Sequence, residues 1–152
     1  MNIILVYATN SGSTMLAAQT VQDVLIKKGH QVTQKEARMA WTDDFNSSQV
    51  IIFGSPSWDY AGHEGMPHED FVTLIDKLKT VTLENKPFAI FGLGDSSFTH
   101  FCGAVDHLEE LVKTVKGKLI VPSLKIDKFF NDQTGNTAKI TAWAENLAST
   151  LG

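Results

Sequence analysis

Short apolar runs alternate along this chain with segments whose apolar residues recur at helical spacing. Three strongly apolar runs, none of them alternating with polar residues, lie at 2–7, 50–54 and 88–93. Such runs are typical of strands that are buried on both faces. Weaker strands are predicted at 31–36 and, interrupted, at 119–126, and helices are predicted at 15–28, 67–79, 103–115 and 137–151. The alternation predicts an α/β fold in which helices cover both faces of a five-stranded parallel sheet, with residues 1–152 forming one domain.

The composition limits the class of protein further. A lone cysteine, Cys102, excludes an internal disulfide and favours a reducing compartment. No apolar run approaches the roughly 20 residues that a membrane helix needs, and the first residues do not resemble a signal peptide. Residues 55–110 hold ten acidic side chains against three lysines, which disfavours nucleic acid as a partner. We therefore expect a cytoplasmic protein that binds neither membranes nor nucleic acid.

In a doubly wound sheet, ligands bind outside the carboxyl ends of the strands, so the loops at 8–14, 55–66 and 93–102 are the places to search. The first loop joins a buried strand to a helix, and four of its side chains are hydroxyls. Backbone N–H groups at a helix N-terminus suit a phosphate, and the absence of Lys and Arg separates this loop from the nucleotide-binding loop that carries a lysine. A hydroxyl-rich helix cap without a ligand is the alternative.

This loop resembles the phosphate loop of flavodoxins, which has the pattern Thr/Ser-x-Thr/Ser-Gly-x-Thr. The resemblance implies a doubly wound sheet of order 2-1-3-4-5 and a loop that binds the 5′-phosphate of FMN. Its side-chain donors would be Thr9, Ser11 and Thr14, and its backbone donors would be Asn10, Gly12 and Ser13.

The loops after the third and fourth strands carry the same resemblance. The segment Ser55-Pro56-Ser57-Trp58 is similar to the flavodoxin segment that places an aromatic ring against the isoalloxazine. Glycine commonly follows that aromatic in the family, and its peptide turns over on reduction so that a carbonyl meets flavin N5. Here Asp59 follows Trp58, so we expect either Asp59 to take a strained conformation or Gly62 or Gly65 to supply the flexible peptide.

The fourth loop follows the family pattern Gly-x-Gly-Asp-Ser-x-Tyr…Phe-Cys-x-Ala-Val-Asp over residues 92–106. The resemblance implies that Asp95 accepts the N3 proton of the flavin and that backbone groups near Asp95 and Cys102 bind O2. Phe98 stands where the family has a stacking tyrosine and keeps its aromatic face. The cofactor-binding residues expected in this loop are Leu93, Gly94, Asp95, Phe98, Phe101 and Cys102. Trp41 and Trp143, outside the three loops, are interpreted as packing residues.

The expected function is that of a monomeric, low-potential electron carrier that binds FMN non-covalently and shuttles between its semiquinone and hydroquinone states. Reductase and acceptor proteins would dock transiently at the acidic face beside the flavin edge. The alternative is a flavodoxin-like FMN oxidoreductase that acts on a small substrate such as a quinone or a porphyrinogen. A response-regulator receiver domain shares the topology, but it needs acidic residues after the first strand, where Thr9 and Asn10 stand.

Overall fold

The computed structural model describes all residues, 1–152, and shows a sheet with helices on both faces. The strands are β1 (Asn2–Tyr7), β2 (Gln31–Glu36), β3 (Val50–Tyr60), β4 (His63–Pro67), β5 (Pro87–Gly94), β6 (Lys118–Leu119) and β7 (Leu124–Asp127). The α-helices are α1 (Ser13–Lys27), α2 (Thr42–Ser47), α3 (Glu69–Leu78), α4 (Gly103–Thr114) and α5 (Gln133–Leu151). Two short 3₁₀ helices span Ala37–Met39 and Phe129–Asp132.

The parallel strands lie in the order β2-β1-β3-β5-β6, and β7 pairs with β5 beyond the point where β6 ends. β6 and β7 are therefore two parts of one interrupted fifth strand. Counted this way, the predicted order 2-1-3-4-5 is confirmed. The carboxyl ends of β1, β3, β5 and β7 meet at one edge, which brings the loops after these strands together.

Two apolar layers hold the helices onto the sheet. One layer packs β-strand side chains such as Phe53 and Ile90 against Phe71 of α3 and Leu108 of α4. The other layer packs the opposite face of the strands against α1 and α5, where Trp143 lies edge-on to Phe91 with ring centroids 5.9 Å apart. The side chains of β1, β3 and β5 point into both layers, which explains why their sequences are continuously apolar.

Three local expectations were wrong. Residues 57–67, expected to be mostly loop, form an antiparallel hairpin in which β3 continues to Tyr60 and pairs with β4. Pro67 consequently ends β4 instead of opening a helix, and α3 begins at Glu69. Trp41 is not a packing residue, because 69% of its surface is exposed and the ammonium of Lys77 lies 5.6 Å from its ring centroid.

No helix in the structure combines the length and the apolar character that crossing a lipid bilayer requires.

Candidate functional site

The loop between β1 and α1 presents several backbone donors without acceptors. Gly12 precedes the helix with a φ of 92°, a left-handed conformation that glycine adopts at little cost. Its N–H donates to Thr9 Oγ1 at 2.9 Å, which closes the turn. The N–H groups of Ser11, Ser13 and Thr14 have no acceptor within the chain. The loop therefore offers converging donors at the positive end of the α1 dipole.

The side chain of Thr14 is the decisive detail in this loop. The residue is fully buried, and its hydroxyl has no hydrogen-bond partner in the structure. A buried hydroxyl without a partner costs free energy, so such groups are rare unless a ligand completes them. A helix cap alone would use the hydroxyls on the chain's own N–H groups, as Thr9 does. The arrangement fits a bound phosphate group.

Trp58 lies on the part of β3 that extends beyond the sheet edge, where it pairs with Met66 of β4. The indole is half-buried, and its ring stacks on the imidazole of His68 with centroids 5.3 Å apart and planes 8° apart. The Nε1 atom of Trp58 is buried and has no hydrogen-bond partner. Trp58 thus forms one wall of a cleft and not a free loop tip.

Positive φ angles occur at three residues of the hairpin formed by β3 and β4. Ala61 and Gly62 have φ angles of 53° and 79°, and they join Tyr60 to His63 in a two-residue turn of the type that hairpins favour. Gly65 also has a positive φ of 75°, whereas Asp59 does not. The ladder is irregular here, because the pairs Trp58–Met66 and Tyr60–His63 leave Glu64 and Gly65 opposite Asp59 alone, so the bulge lies on β4. Of the two alternatives for a left-handed residue, the structure therefore favours Gly62 and Gly65 over Asp59.

Two carboxylates fix the loop after β5. Asp95 accepts hydrogen bonds from Ser97 N–H at 2.8 Å and from Ser97 Oγ at 2.6 Å. Asp127, at the end of β7, accepts from Ser96 N–H at 2.8 Å and from Ser96 Oγ at 2.7 Å. These hydrogen bonds hold the pKa of both carboxyls below the usual 3.8, with Lys128 contributing by its charge. The loop therefore has a defined shape and a negative charge at neutral pH.

The remaining residues of this loop have different environments. Phe98 is 56% exposed and lines the same cleft as Trp58, whereas Phe101 packs against the core on the α3 and α4 side. Cys102 precedes α4 with a φ of 50° and is buried, and burial raises the pKa of its thiol to about 12. A thiol of this kind is protonated at neutral pH, so Cys102 is not a nucleophile.

Two adjacent clefts open at this edge of the sheet. The narrower one, of about 20 Å³, lies between Trp58 and Phe98 and is also lined by Asp59, Glu64, Gly65, His100 and Cys102. The wider one, of about 260 Å³, is lined by Ser13, Pro56, Leu93, Gly94, Lys128, Phe129, Phe130 and Asn131. Ser57 and Asp95 line both clefts. The wider cleft starts at the donor-rich loop, and the narrower one lies between two aromatic rings.

Sequence reasoning missed the part of the site that follows β7. Lys128, Phe129, Phe130 and Asn131 line the wider cleft, and Lys128 is the one Lys or Arg that lines either of these two clefts. The N–H of Lys128 donates to Gly94 O at 2.8 Å, which ties this segment to the end of β5. The signal was available, because the fifth strand of a parallel sheet ends at the same edge as the first, third and fourth.

Ser55 was expected to bind the cofactor, but it lines neither cleft. It is completely buried, and its Oγ donates to Pro56 O and accepts from His68 N–H at 3.1 Å. It therefore supports the site from beneath. The other residues expected in the third loop, Pro56, Ser57, Trp58 and Asp59, all line one or both clefts.

Comparisons with known proteins cover nearly the whole chain. The family model described as flavodoxin matches residues 5–143. The chain belongs to the flavodoxin family. It is 35% identical to a flavodoxin of Maridesulfovibrio salexigens over 97% of both chains, and 30% identical to a flavodoxin of Nitratidesulfovibrio vulgaris over 99% of both chains. The solved structure of Fusobacterium nucleatum flavodoxin bound to flavin mononucleotide has a TM-score of 0.83 and 19% identity, covering 97% of both chains.

Membership in this family establishes the cofactor and the general activity. The cofactor of the chain is FMN, a phosphate-bearing aromatic ligand of the kind that the donor-rich loop and the two aromatic walls fit. The chain is an electron-transfer protein and not an enzyme.

Proposed function

We propose that this chain is a low-potential one-electron carrier that cycles its FMN between the semiquinone and hydroquinone states. In this proposal residues 1–152 act as one FMN-binding domain, and the three loops predicted from the sequence hold the cofactor. Thr9, Asn10, Ser11, Gly12, Ser13 and Thr14 bind the phosphate. The residues around the remainder of the cofactor are Pro56, Ser57, Trp58, Asp59, Leu93, Gly94, Asp95, Phe98, Cys102 and Lys128. Ser55 and Phe101, which line neither cleft, support these residues from the core.

The observation that carries the proposal is the unsatisfied hydroxyl of Thr14 beside the unpaired N–H groups of the same loop. A dianionic phosphate accepts several charge-assisted hydrogen bonds, and each is about twice as strong as a neutral one. The loop needs no Lys or Arg for this purpose, because its donors are already oriented by the turn and by α1. Ser13 lies both in this loop and in the wider cleft, so the phosphate position is continuous with the space for the ribityl chain.

The charges around the narrower cleft support a low potential. Asp59, Glu64 and Asp95 line it, and its lining includes no Lys or Arg. FMN supplies the redox chemistry when bound, and its fully reduced form carries an additional negative charge. Nearby carboxylates make that charge less favourable, more so where the surroundings exclude water. Backbone carbonyls of the hairpin end, at Asp59 and at the bulge of Glu64 and Gly65 opposite it, can accept a hydrogen bond from the cofactor edge without a side chain.

The same carboxylates suit transient partners. We propose that a reductase and an acceptor with basic surfaces dock at the acidic edge formed by Asp59, Glu64 and Asp106, each of which lines the narrower cleft or the polar pocket next to it. Electrostatic attraction accelerates such encounters without requiring a tight complex. The single buried thiol is compatible with a monomer in the reducing cytoplasm.

Stepwise photoreduction of the purified protein, followed by its visible spectrum, tests the proposal. We expect a yellow protein to pass through a stable blue form before it bleaches, because the two one-electron steps are separated. One merged two-electron step would contradict the cycle between the two lower redox states. A colourless protein that takes up no FMN would contradict the assignment of the three loops. Rates of electron transfer to a basic partner should fall as the salt concentration rises.

A further inference from the structure

His68 lies beneath the wall of the narrower cleft that Trp58 forms. The imidazole and the indole are almost parallel, at 8°, and their centroids are 5.3 Å apart. His68 is only 7% exposed, so the stack covers a buried face of Trp58. A histidine in this position was not indicated by the motifs, and it lines neither cleft. The imidazole ring contacts the cleft wall through Trp58, on which it stacks.

His68 is held by two hydrogen bonds, one through its backbone and one through its ring. Its backbone N–H donates to Ser55 Oγ at 3.1 Å, and its Nδ1 accepts from Asp70 N–H at 3.0 Å as the cap of α3. A ring that accepts at Nδ1 carries its proton on Nε2. The carboxylate of Asp70 lies 3.7 Å from the same nitrogen, beyond hydrogen-bond distance. The backbone hydrogen bond ties the residue to β3, and the cap hydrogen bond ties the imidazole to the start of α3.

Trp58 has few other restraints. Its Nε1 makes no hydrogen bond, and the ladder beside it is interrupted by the bulge at Glu64 and Gly65 of β4. Phe98, on the opposite side of the cleft, is 56% exposed and has no aromatic partner that would fix its ring. The cleft therefore has one fixed wall and one adjustable wall, and the stack on His68 is what fixes the first.

We infer that His68 is a positioning residue for the cofactor: it sets the plane of Trp58 against which the flavin ring packs. This inference rests on the proposed function, because it takes the narrower cleft to be the site of the ring. An indole fixed before binding loses less conformational freedom when the ring arrives, which favours affinity. Without the stack the indole has to be ordered when FMN binds, and the cost of ordering one side chain corresponds to an FMN dissociation constant about 2- to 12-fold higher.

A role as helix cap alone is the competing explanation, and two substitutions separate the two roles. Asparagine is a good cap but has no aromatic plane, so H68N keeps the cap of α3 and loses the stack. Phenylalanine has the plane but no acceptor, so H68F keeps the stack and loses the cap. The matched control is D132N, which exchanges the cap of α5, where Asp132 accepts from Gly135 N–H at 3.0 Å, far along the chain from Trp58.

The readouts are the FMN dissociation constant and the near-ultraviolet circular dichroism of the apoprotein, with W58F defining the signal of Trp58. We expect H68N to weaken FMN binding about 2- to 12-fold and to lose most of the Trp58 signal. H68F should bind FMN like the unsubstituted chain while its apoprotein unfolds at lower urea concentration, and D132N should change neither readout.

The inference is overturned if H68N retains both the affinity and the Trp58 signal, or if H68F weakens binding as much as H68N. If H68N does not fold, the circular dichroism of the H68F apoprotein decides: the inference requires it to keep the Trp58 signal, and loss of that signal overturns the inference. Should the unsubstituted chain bind no FMN, the proposed function fails, whereas the circular dichroism of the apoprotein still reports whether His68 fixes Trp58.

Discussion

Replacing Thr14 by valine should stabilise the apoprotein and weaken its binding of FMN. Valine has nearly the same shape as threonine, so the fully buried site should accept it without a cavity. The hydroxyl that is lost has no partner in the structure. A buried hydroxyl without a hydrogen bond costs about 1–3 kcal/mol, so its removal should raise the free energy of unfolding of the apoprotein by an amount in that range.

The same hydroxyl is expected to donate to the phosphate when FMN is bound. A hydrogen bond to a charged group contributes about 1.5–3 kcal/mol. Its loss should therefore raise the FMN dissociation constant about 10- to 150-fold, since 1.4 kcal/mol corresponds to a factor of ten. Higher stability of the apoprotein together with weaker FMN binding is expected only of a buried group whose hydrogen-bond partner is the ligand and not another part of the chain.

Urea unfolding of the apoprotein and a titration that follows the quenching of FMN fluorescence measure the two quantities. The matched control is Thr20→Val, because Thr20 lies on the same helix and its hydroxyl already donates to Leu16 O at 3.2 Å. That variant should leave FMN affinity unchanged. A Thr14→Val apoprotein that is less stable than the unsubstituted one, or that binds FMN equally well, would refute the reasoning.

Three further predictions concern other parts of the site. Lys128→Gln should lower the potential of the second one-electron reduction by an amount on the order of tens of millivolts, because it removes the one Lys or Arg that lines the two clefts. Lys27→Gln, in the last turn of α1 and away from the donor-rich loop, should leave that potential unchanged, and equal potentials of the two variants would contradict the prediction. Cys102 should resist alkylation at pH 8 in the folded protein, because a pKa of about 12 leaves about one thiolate in ten thousand; rapid labelling without unfolding would contradict it. Hydrogen bonds from Ser97 and Ser96 lower the pKa of Asp95 and Asp127, so these two carboxylates stabilise the fold above pH 3.8, and this contribution is lost as the pH falls below that value. Urea unfolding between pH 3 and 6 should show the loss of stability at the acidic end, and Asp127→Asn should make that loss smaller.

The buried strands could be predicted because their environment determines their composition. Val50, Ile51, Ile52 and Phe53 are all completely buried, and no strand that is packed on both faces can contain polar residues at alternate positions. The donor-rich loop could be predicted for a related reason. Its chemistry depends on one short segment, in which Gly12 permits the turn and the hydroxyls follow at fixed spacing. Local rules therefore suffice for both features.

The hairpin could not be predicted in the same way, because contacts distant in sequence hold it. A Cβ atom on Gly65 would lie 2.6 Å from His100 Cβ, and one on Gly103 would lie 2.4 Å from Gly65 O. The hairpin thus packs directly on the start of α4 through two glycines. Its strand β4 has the sequence His-Glu-Gly-Met-Pro, which contains residues that disfavour strands. Tertiary packing determines this element, and local propensity does not.

This difference suggests which end of the site determines the FMN affinity and which end determines the redox potentials. The phosphate end is one continuous loop whose donors are set by α1, so substitutions there should change affinity and leave the spacing between the two potentials intact. The ring end is assembled from the hairpin, the loop after β5 and the end of β7, which meet through Gly65, Gly103 and the hydrogen bonds of Asp127. A change at any of these contacts moves charges or carbonyls relative to the ring. Variants of the ring end should therefore shift the two potentials as well as the affinity, which places the specificity of this chain as a carrier in the elements that its local sequence does not determine.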